Sequence, residues 1–213
     1  MNQYPGVIGR KLGMTQIFAE DGTVVPCTVV ESQVTVIGKR TKEKDGYDAL
    51  ILGTGELKEK HTSKAVAGQF KKANVQGRKT LRELRCSAEF AAGYELGAEL
   101  KVDEIFEEGQ KVDVQATSRG FGFQGVVKRH HFRGGRSSHG SMFHRAPGSI
   151  GGSSFPSRVY PGMRGTGRMG GDRVTVKNLL VVKIDEDKNL LYVRGAVPGG
   201  PNGYVTIQRA KRG

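Results

Sequence analysis

RGFGFQGVVKRHHFRGG, Arg119 to Gly135, poses the question on which both fold and chemistry turn. It contains Gly120-Phe121-Gly122-Phe123-Gln124-Gly125, a literal G-x-G-x-x-G, and Val127 completes a kinase-style G-x-G-x-x-G-x-V. Such a run either cradles a nucleotide phosphate or serves some other polyanion. A dinucleotide fingerprint needs a helix after the third glycine and an acidic residue about twenty positions on, to bind the ribose. Here no acidic residue lies between Asp113 and Asp172, and His130-His131-Phe132-Arg133-Gly134-Gly135 is poor helix sequence. A kinase would also need H-R-D and D-F-G motifs, and the chain has neither. The nucleotide-loop reading fails.

Outward from this stretch, the charge is unevenly spread. Residues 117–171 hold eight Arg, one Lys and no acid, which is +9 of the chain's +13. The remaining residues have 25 basic and 21 acidic side chains, only +4. A near-neutral body thus carries a strongly cationic segment, and a field of one sign calls for a polyanionic partner, nucleic acid or a membrane surface. The segment has 14 of the 32 glycines and only thirteen apolar side chains among 55 residues. That is too little apolar surface to offset the entropy of ordering so long a stretch, so the segment is expected to be disordered or held by a partner.

The flanking sequence reads as β. Met14–Phe18 and Thr23–Val30 surround Glu20-Asp21-Gly22, and Val34–Lys39 and Tyr47–Leu52 surround Asp45-Gly46, two turn signals that suit hairpins. Glu99–Val102, Lys111–Gln115, Val174–Ile184, Leu190–Arg194 and Tyr204–Arg209 continue the pattern. Many short strands predict a closed barrel or a sandwich, and a barrel leaves no open edge. Between them, Ser63 is placed to cap a helix reaching Asn74 that buries Val66, Phe70 and Ala73, with a strand near Leu81–Cys86 after it. The expected organisation is a β-barrel body from 1–55, 96–116 and 172–213, a small α+β insertion at 56–95, and an extended RNA-penetrating segment at 117–171.

Several classes drop out. Cys27 and Cys86 stand alone, which supports neither a disulfide framework nor a zinc finger and makes a reduced, cytoplasmic protein the expectation. The opening MNQYPGVIGRKLGM lacks a signal-peptide apolar run, and no stretch is long enough to span a bilayer. No amphipathic basic helix marks a membrane-surface protein. His130, His131, His139 and His144 cluster in sequence, but without a nearby carboxylate or thiolate to complete a metal site. Ser137, Ser138 and Ser141 have no local carboxylate to orient His139 as a base.

RNA fits the segment better. Eight of its nine cations are Arg, against nine Arg and sixteen Lys elsewhere. Guanidinium forks onto phosphate and stacks on bases. Glycine lets the backbone and its N–H groups approach phosphate closely. Phe121, Phe123, Phe132, Phe143, Phe155 and Tyr160 are interleaved as stacking groups, and Pro147, Pro156 and Pro161 stiffen the path. The candidate RNA-binding residues are Arg119, Lys128, Arg129, His130, His131, Arg133, Arg136, His139, His144, Arg145, Ser149, Phe155, Arg158, Arg164, Arg168 and Arg173.

The run His139-Gly140-Ser141-Met142-Phe143-His144-Arg145-Ala146-Pro147-Gly148-Ser149-Ile150-Gly151 resembles the centre of the bacterial large-subunit ribosomal protein L three family. So do Lys11-Leu12-Gly13-Met14-Thr15-Gln16-Ile17-Phe18 and Gly195-Ala196-Val197-Pro198-Gly199, and the G-x-G-x-x-G falls inside a family signature running from Phe106 to Arg129. The resemblance implies a six-stranded barrel of the translation-factor type, with an α+β insertion and a long finger. It implies a non-enzymatic constituent of the large (50S) subunit, without cofactor or small-molecule substrate. Such a protein binds 23S ribosomal RNA early in assembly and lies beside ribosomal proteins L fourteen and L nineteen. By matching position, a fingertip at 148–155 lies toward the peptidyl-transferase centre. Two positions depart from the family pattern: Phe121 stands where a basic residue is usual, and Gly152 stands where some members carry a methylated Gln.

Overall fold

The computed structural model describes residues 5–211. In chain order the body contains β1 (Gly6–Phe18), β2 (Val24–Glu31), β3 (Val34–Arg40), α1 (Lys42–Asp45), β4 (Ala49–Glu56), α2 (Lys64–Lys72), β5 (Arg78–Arg85), α3 (Ala88–Ala92), β6 (Glu99–Leu100) and β7 (Lys111–Thr117). A second unit, Arg119–Asp172, holds β8 (Gly122–Gln124), α4 (Val126–His130) and β9 (Gly167–Met169). The body resumes with β10 (Arg173–Asp185), β11 (Leu190–Arg194) and β12 (Tyr204–Arg209).

Six strands close into an antiparallel barrel in the order β1-β12-β7-β10-β11-β2, with β2 returning to β1. Strand β7 shows why these residues make a barrel. Val112, Val114 and Ala116 point inward, while Lys111, Asp113 and Gln115 alternate outward, as a period of two demands. Leu191 and Val193 of β11, Val205 and Ile207 of β12, and Val7 of β1 fill the same interior, while Ile8, paired with Thr206, is buried on the opposite face of β1. The long strand β10 has register shifts between Val176 and Leu179 and between Val181 and Lys183. Bulges of this kind bend a long strand so that one element serves two neighbours of a closed sheet. Buried hydroxyls are satisfied locally: Ser32 Oγ donates to the Ile8 carbonyl at 3.1 Å and Thr28 Oγ1 to that of Gly195 at 2.7 Å. Lys11 Nζ donates to the Val197 carbonyl at 2.8 Å, so two of the motifs that carry the family resemblance meet here.

The barrel is mainly β and closed, as expected, but its membership differs from the expected boundaries. Residues 34–55, expected in it, lie outside it. Instead β3 and β4 pair with each other and with β5 and β6, giving a separate four-stranded sheet in the order β5-β4-β3-β6. Hairpin signals identify neighbouring strands and not the sheet that receives them, hence the error. One continuous core joins the two sheets, running from Val7 and Ile8 through Ile105 and Phe106 to Val36, Leu50 and Leu52. The Asp45-Gly46 turn is also more than a hairpin: Lys42–Asp45 forms a helical turn closed by Gly46 at φ 81°. Helix α2 packs Phe70, with Ala73 just past its end, against Ile37, and Val66 is partly covered. Ser63 stands at the helix start, yet its side chain makes no capping hydrogen bond. Cys27 and Cys86 are free and buried. No helix among the described residues is long and apolar enough to cross a membrane.

Candidate nucleic-acid interface

The cationic unit is built from a short neck and a long exposed loop. In the neck, β8 pairs antiparallel with β9, matching Gly122 to Met169, Phe123 to Arg168 and Gln124 to Gly167. The Phe121 N–H donates to the Met169 carbonyl at 2.9 Å. Gly170 has φ 72°, and a side chain there would collide with the Arg119 carbonyl, so glycine is what allows the two chains to run this close. Helix α4 begins directly after Gly125, with the Arg129 N–H donating to the Gly125 carbonyl at 3.0 Å and Val126 buried beneath it.

This local order refines the expectation in two ways. A single helical turn, Val126–His130, does follow the third glycine of the G-x-G-x-x-G, and it ends at His131, within the poor helix sequence. Even so, Gly122–Gln124 of that motif lies in a paired strand, so its backbone is committed to a hairpin and is not free to wrap a phosphate. The segment also has more internal structure than its composition suggested. Arg129 Nη1 donates to the Gly165 carbonyl at 2.8 Å, and His130 Nε2 lies 3.1 Å from the same oxygen. Arg129 and His130, expected on RNA, are half-buried and bolt the outgoing chain to the returning one. No composition count could have shown this, since the partner is a backbone carbonyl 36 residues away.

Beyond the neck, up to β9, the chain has no helix or strand and is largely exposed. The Gly135 N–H donates to the His144 carbonyl at 2.9 Å, and a side chain on Gly135 would strike the Phe143 carbonyl. His144 Nδ1 lies 2.9 Å from the Arg136 carbonyl, and Ser149 Oγ 3.4 Å from that of Gly151. Arg158 lies over the Tyr160 ring at 5.4 Å and Lys128 over Phe121 at 4.8 Å. Arg119, His131, His139 and Arg168 are exposed. Among the described residues, Arg133, Arg136, Arg145 and Arg164 are exposed and their guanidinium groups make no hydrogen bond or ion pair. Apolar side chains are exposed with them: Met142 is 99 % and Phe155 87 % accessible. A soluble chain rarely presents so much bare apolar surface unless a partner covers it. Among the described residues no group of three or more His, Cys, Asp or Glu is arranged to hold a metal ion.

Arg173 stands apart from the other candidates, on β10 of the body, where its guanidinium donates to Gln115 Oε1. With Arg82, Thr80 and Thr117 it lines a small cleft of about 140 Å³. Arg82 reaches this cleft from β5, remote in sequence from the acid-free segment.

Fold and arm together define a class: a closed β-barrel carrying a basic, glycine-rich extension suited to a polyanion. The chain belongs to the ribosomal protein L3 family, whose model, "Ribosomal protein L3", matches residues 64–189. It is 54 % identical over its whole length to the large ribosomal subunit protein uL3 of Sorangium cellulosum, covering 93 % of that protein. It is 52 % identical to the uL3 proteins of Syntrophus aciditrophicus and Solibacter usitatus. These matches cover 97 % and 98 % of this chain, and 94 % and 99 % of those proteins. The family is one of structural ribosomal proteins and not of enzymes.

Proposed function

We propose that this chain is a structural constituent of the bacterial large ribosomal subunit, in the cytoplasm, and that its arm is the part that engages ribosomal RNA. Membership of a family named for the large subunit supports the first half of that reading. One observation carries the second: four exposed arginines that make no hydrogen bond or ion pair among the described residues, on an arm with no acidic residue between Asp113 and Asp172. In a folded RNA each such guanidinium gains a phosphate or a base face, which water alone does not replace.

The barrel docks as a preformed anchor, and the neck holds the two ends of the arm together. The loop beyond Gly135 takes its final shape only as RNA closes around it. This division follows from the contacts: the barrel has a continuous core, the neck has one hairpin and one buried valine, and the loop has almost no burial. Early binding to 23S RNA, a tip at 148–155 directed to the peptidyl-transferase centre, and contacts with ribosomal proteins L fourteen and L nineteen complete the reading. A photo-cross-linking side chain placed at 145 or 155, in subunits assembled in cells, tests it. Cross-links to 23S nucleotides are expected from both positions, and cross-links to protein alone would overturn the RNA assignment.

A further inference from the structure

The hairpin of β1 and β2 outruns the barrel. Strand β1 pairs with β12 only from Gly6 to Arg10, yet continues to Phe18 against β2. The Ala19 N–H donates to the Thr23 carbonyl. Counting back from that bond, the alternation of an antiparallel ladder makes Phe18/Val24, Gln16/Pro26 and Met14/Thr28 the non-hydrogen-bonded pairs. The backbone groups of those residues therefore point to the outer edges. On the β2 side the edge is closed from Pro26 to Thr28: Pro26 has no N–H, its carbonyl accepts from Gly195, and Thr28 pairs with Val193, so that among the described residues Val24, at the tip, has no strand beside it there. On the β1 side, among the described residues, the N–H and C=O groups of Met14, Gln16 and Phe18 have no strand beside them.

An open edge is a template for another strand, and proteins usually blunt one with proline or charge. This ribbon blunts one edge up to Pro26 and leaves the other bare from Met14 to Phe18. Its surface is apolar as well: Met14, Phe18 and Val24 share a face and are 55 %, 71 % and 48 % exposed. The charge identifies the kind of partner. Leu12 to Gly38 contains no Lys or Arg in a chain of net charge +13, and Glu20 and Asp21 sit at the ribbon's tip. A ribbon without cations of its own and with an acidic tip favours a basic polypeptide over phosphate, with exposed Arg194 on the β11 side, away from the open edge.

We infer that the β1 edge from Met14 to Phe18 is a protein-docking site, taking one apolar β-strand of a basic neighbouring protein by edge addition. Backbone bonds to Met14, Gln16 and Phe18 set the register, the Met14–Phe18–Val24 face receives alternate apolar side chains, and Glu20 and Asp21 meet lysine or arginine. This rests on the chain being built into a larger particle.

The test places a photo-cross-linking side chain at position 18 of the full chain, expressed in cells, with cross-links in purified large subunits mapped by mass spectrometry. The expected product joins position 18 to a strand of a basic ribosomal protein. The same probe in a Gln16→Pro chain, which loses only an outward N–H, should give that product in about fivefold lower yield, matching one lost hydrogen bond. Phe18→Arg, with the probe moved to 24, should lose it as well. Cross-links to RNA alone, no cross-link, or an unchanged yield in Gln16→Pro would each overturn the inference. Failure of the chain to enter the subunit at all would instead overturn the functional reading beneath it.

Discussion

Replacing Arg133, Arg136, Arg145 and Arg164 together with alanine isolates the electrostatic half of the account. The arm has nine cations, of which Arg129 already spends one N–H on the Gly165 carbonyl. If about six of these meet phosphates, log K falls with log salt at a slope of about −5.4, so a fourfold rise in salt weakens binding about a thousandfold. Removing four of the six leaves a slope of about −1.8 and a loss of about tenfold over the same range. These four side chains are exposed and make no hydrogen bond or ion pair among the described residues, so the fold should survive their loss. The assay is equilibrium binding of the purified chain to a large-subunit RNA domain across a salt series, with circular dichroism to confirm the barrel. Alanine at Lys42 and Lys44, which lie in an acid-rich stretch of the body, serves as the control and should leave the slope nearly unchanged. A wild-type slope near zero, or equal slopes in wild type and the quadruple variant, would refute the reasoning.

Three further outcomes follow from particular contacts. Arg129→Ala should loosen the neck without removing the last partner of the Gly165 oxygen, since His130 remains beside it. A half-buried charged donor is worth about 1.5 kcal/mol, so the Phe121 amide should exchange about tenfold faster. Leu191→Ala, at a fully buried barrel position, should cost about 2–5 kcal/mol in urea unfolding, and a cost below about 1 kcal/mol would mean the barrel core is not packed as described. Burial, and then the hydrogen bond to Glu104, push the Tyr94 hydroxyl up to about 12. Its folded value lies above the unfolded value of about 10, so its contribution is intact below pH 10 and is lost as pH climbs toward 12. Tyr94→Phe should therefore show a smaller fall in urea midpoint between about pH 9 and pH 11 than the wild type, with the other tyrosines common to both.

How much of this was legible in the sequence depends on which interactions are local. The barrel strands were readable because a period of two is written in one strand at a time, as in Val112, Val114 and Ala116. Helix α2 was readable for the same reason, through Phe70 and Ala73. The sheet to which β3 and β4 belong was not, because alternation names a buried face without naming the neighbour. The N-terminal half of β1 was missed since Gly6, Gly9 and Gly13 dilute its apolar pattern. Within the arm, the absence of acid pointed to a polyanion directly. Which arginines are free for it was a different matter: Arg129 and Arg133 look alike in sequence, and only the carbonyl of Gly165 distinguishes them.

The measurement closest to the centre of the account is amide exchange along the whole chain, taken first without RNA and then in assembled subunits. In the free chain, barrel amides such as those of Val114 and Ile207 should exchange slowly, the β8–β9 neck faster, and residues 136–162 at rates near those of an unstructured peptide. In the subunit that loop should become protected. Slow exchange across 136–162 in the absence of RNA, matching the barrel strands, would contradict it.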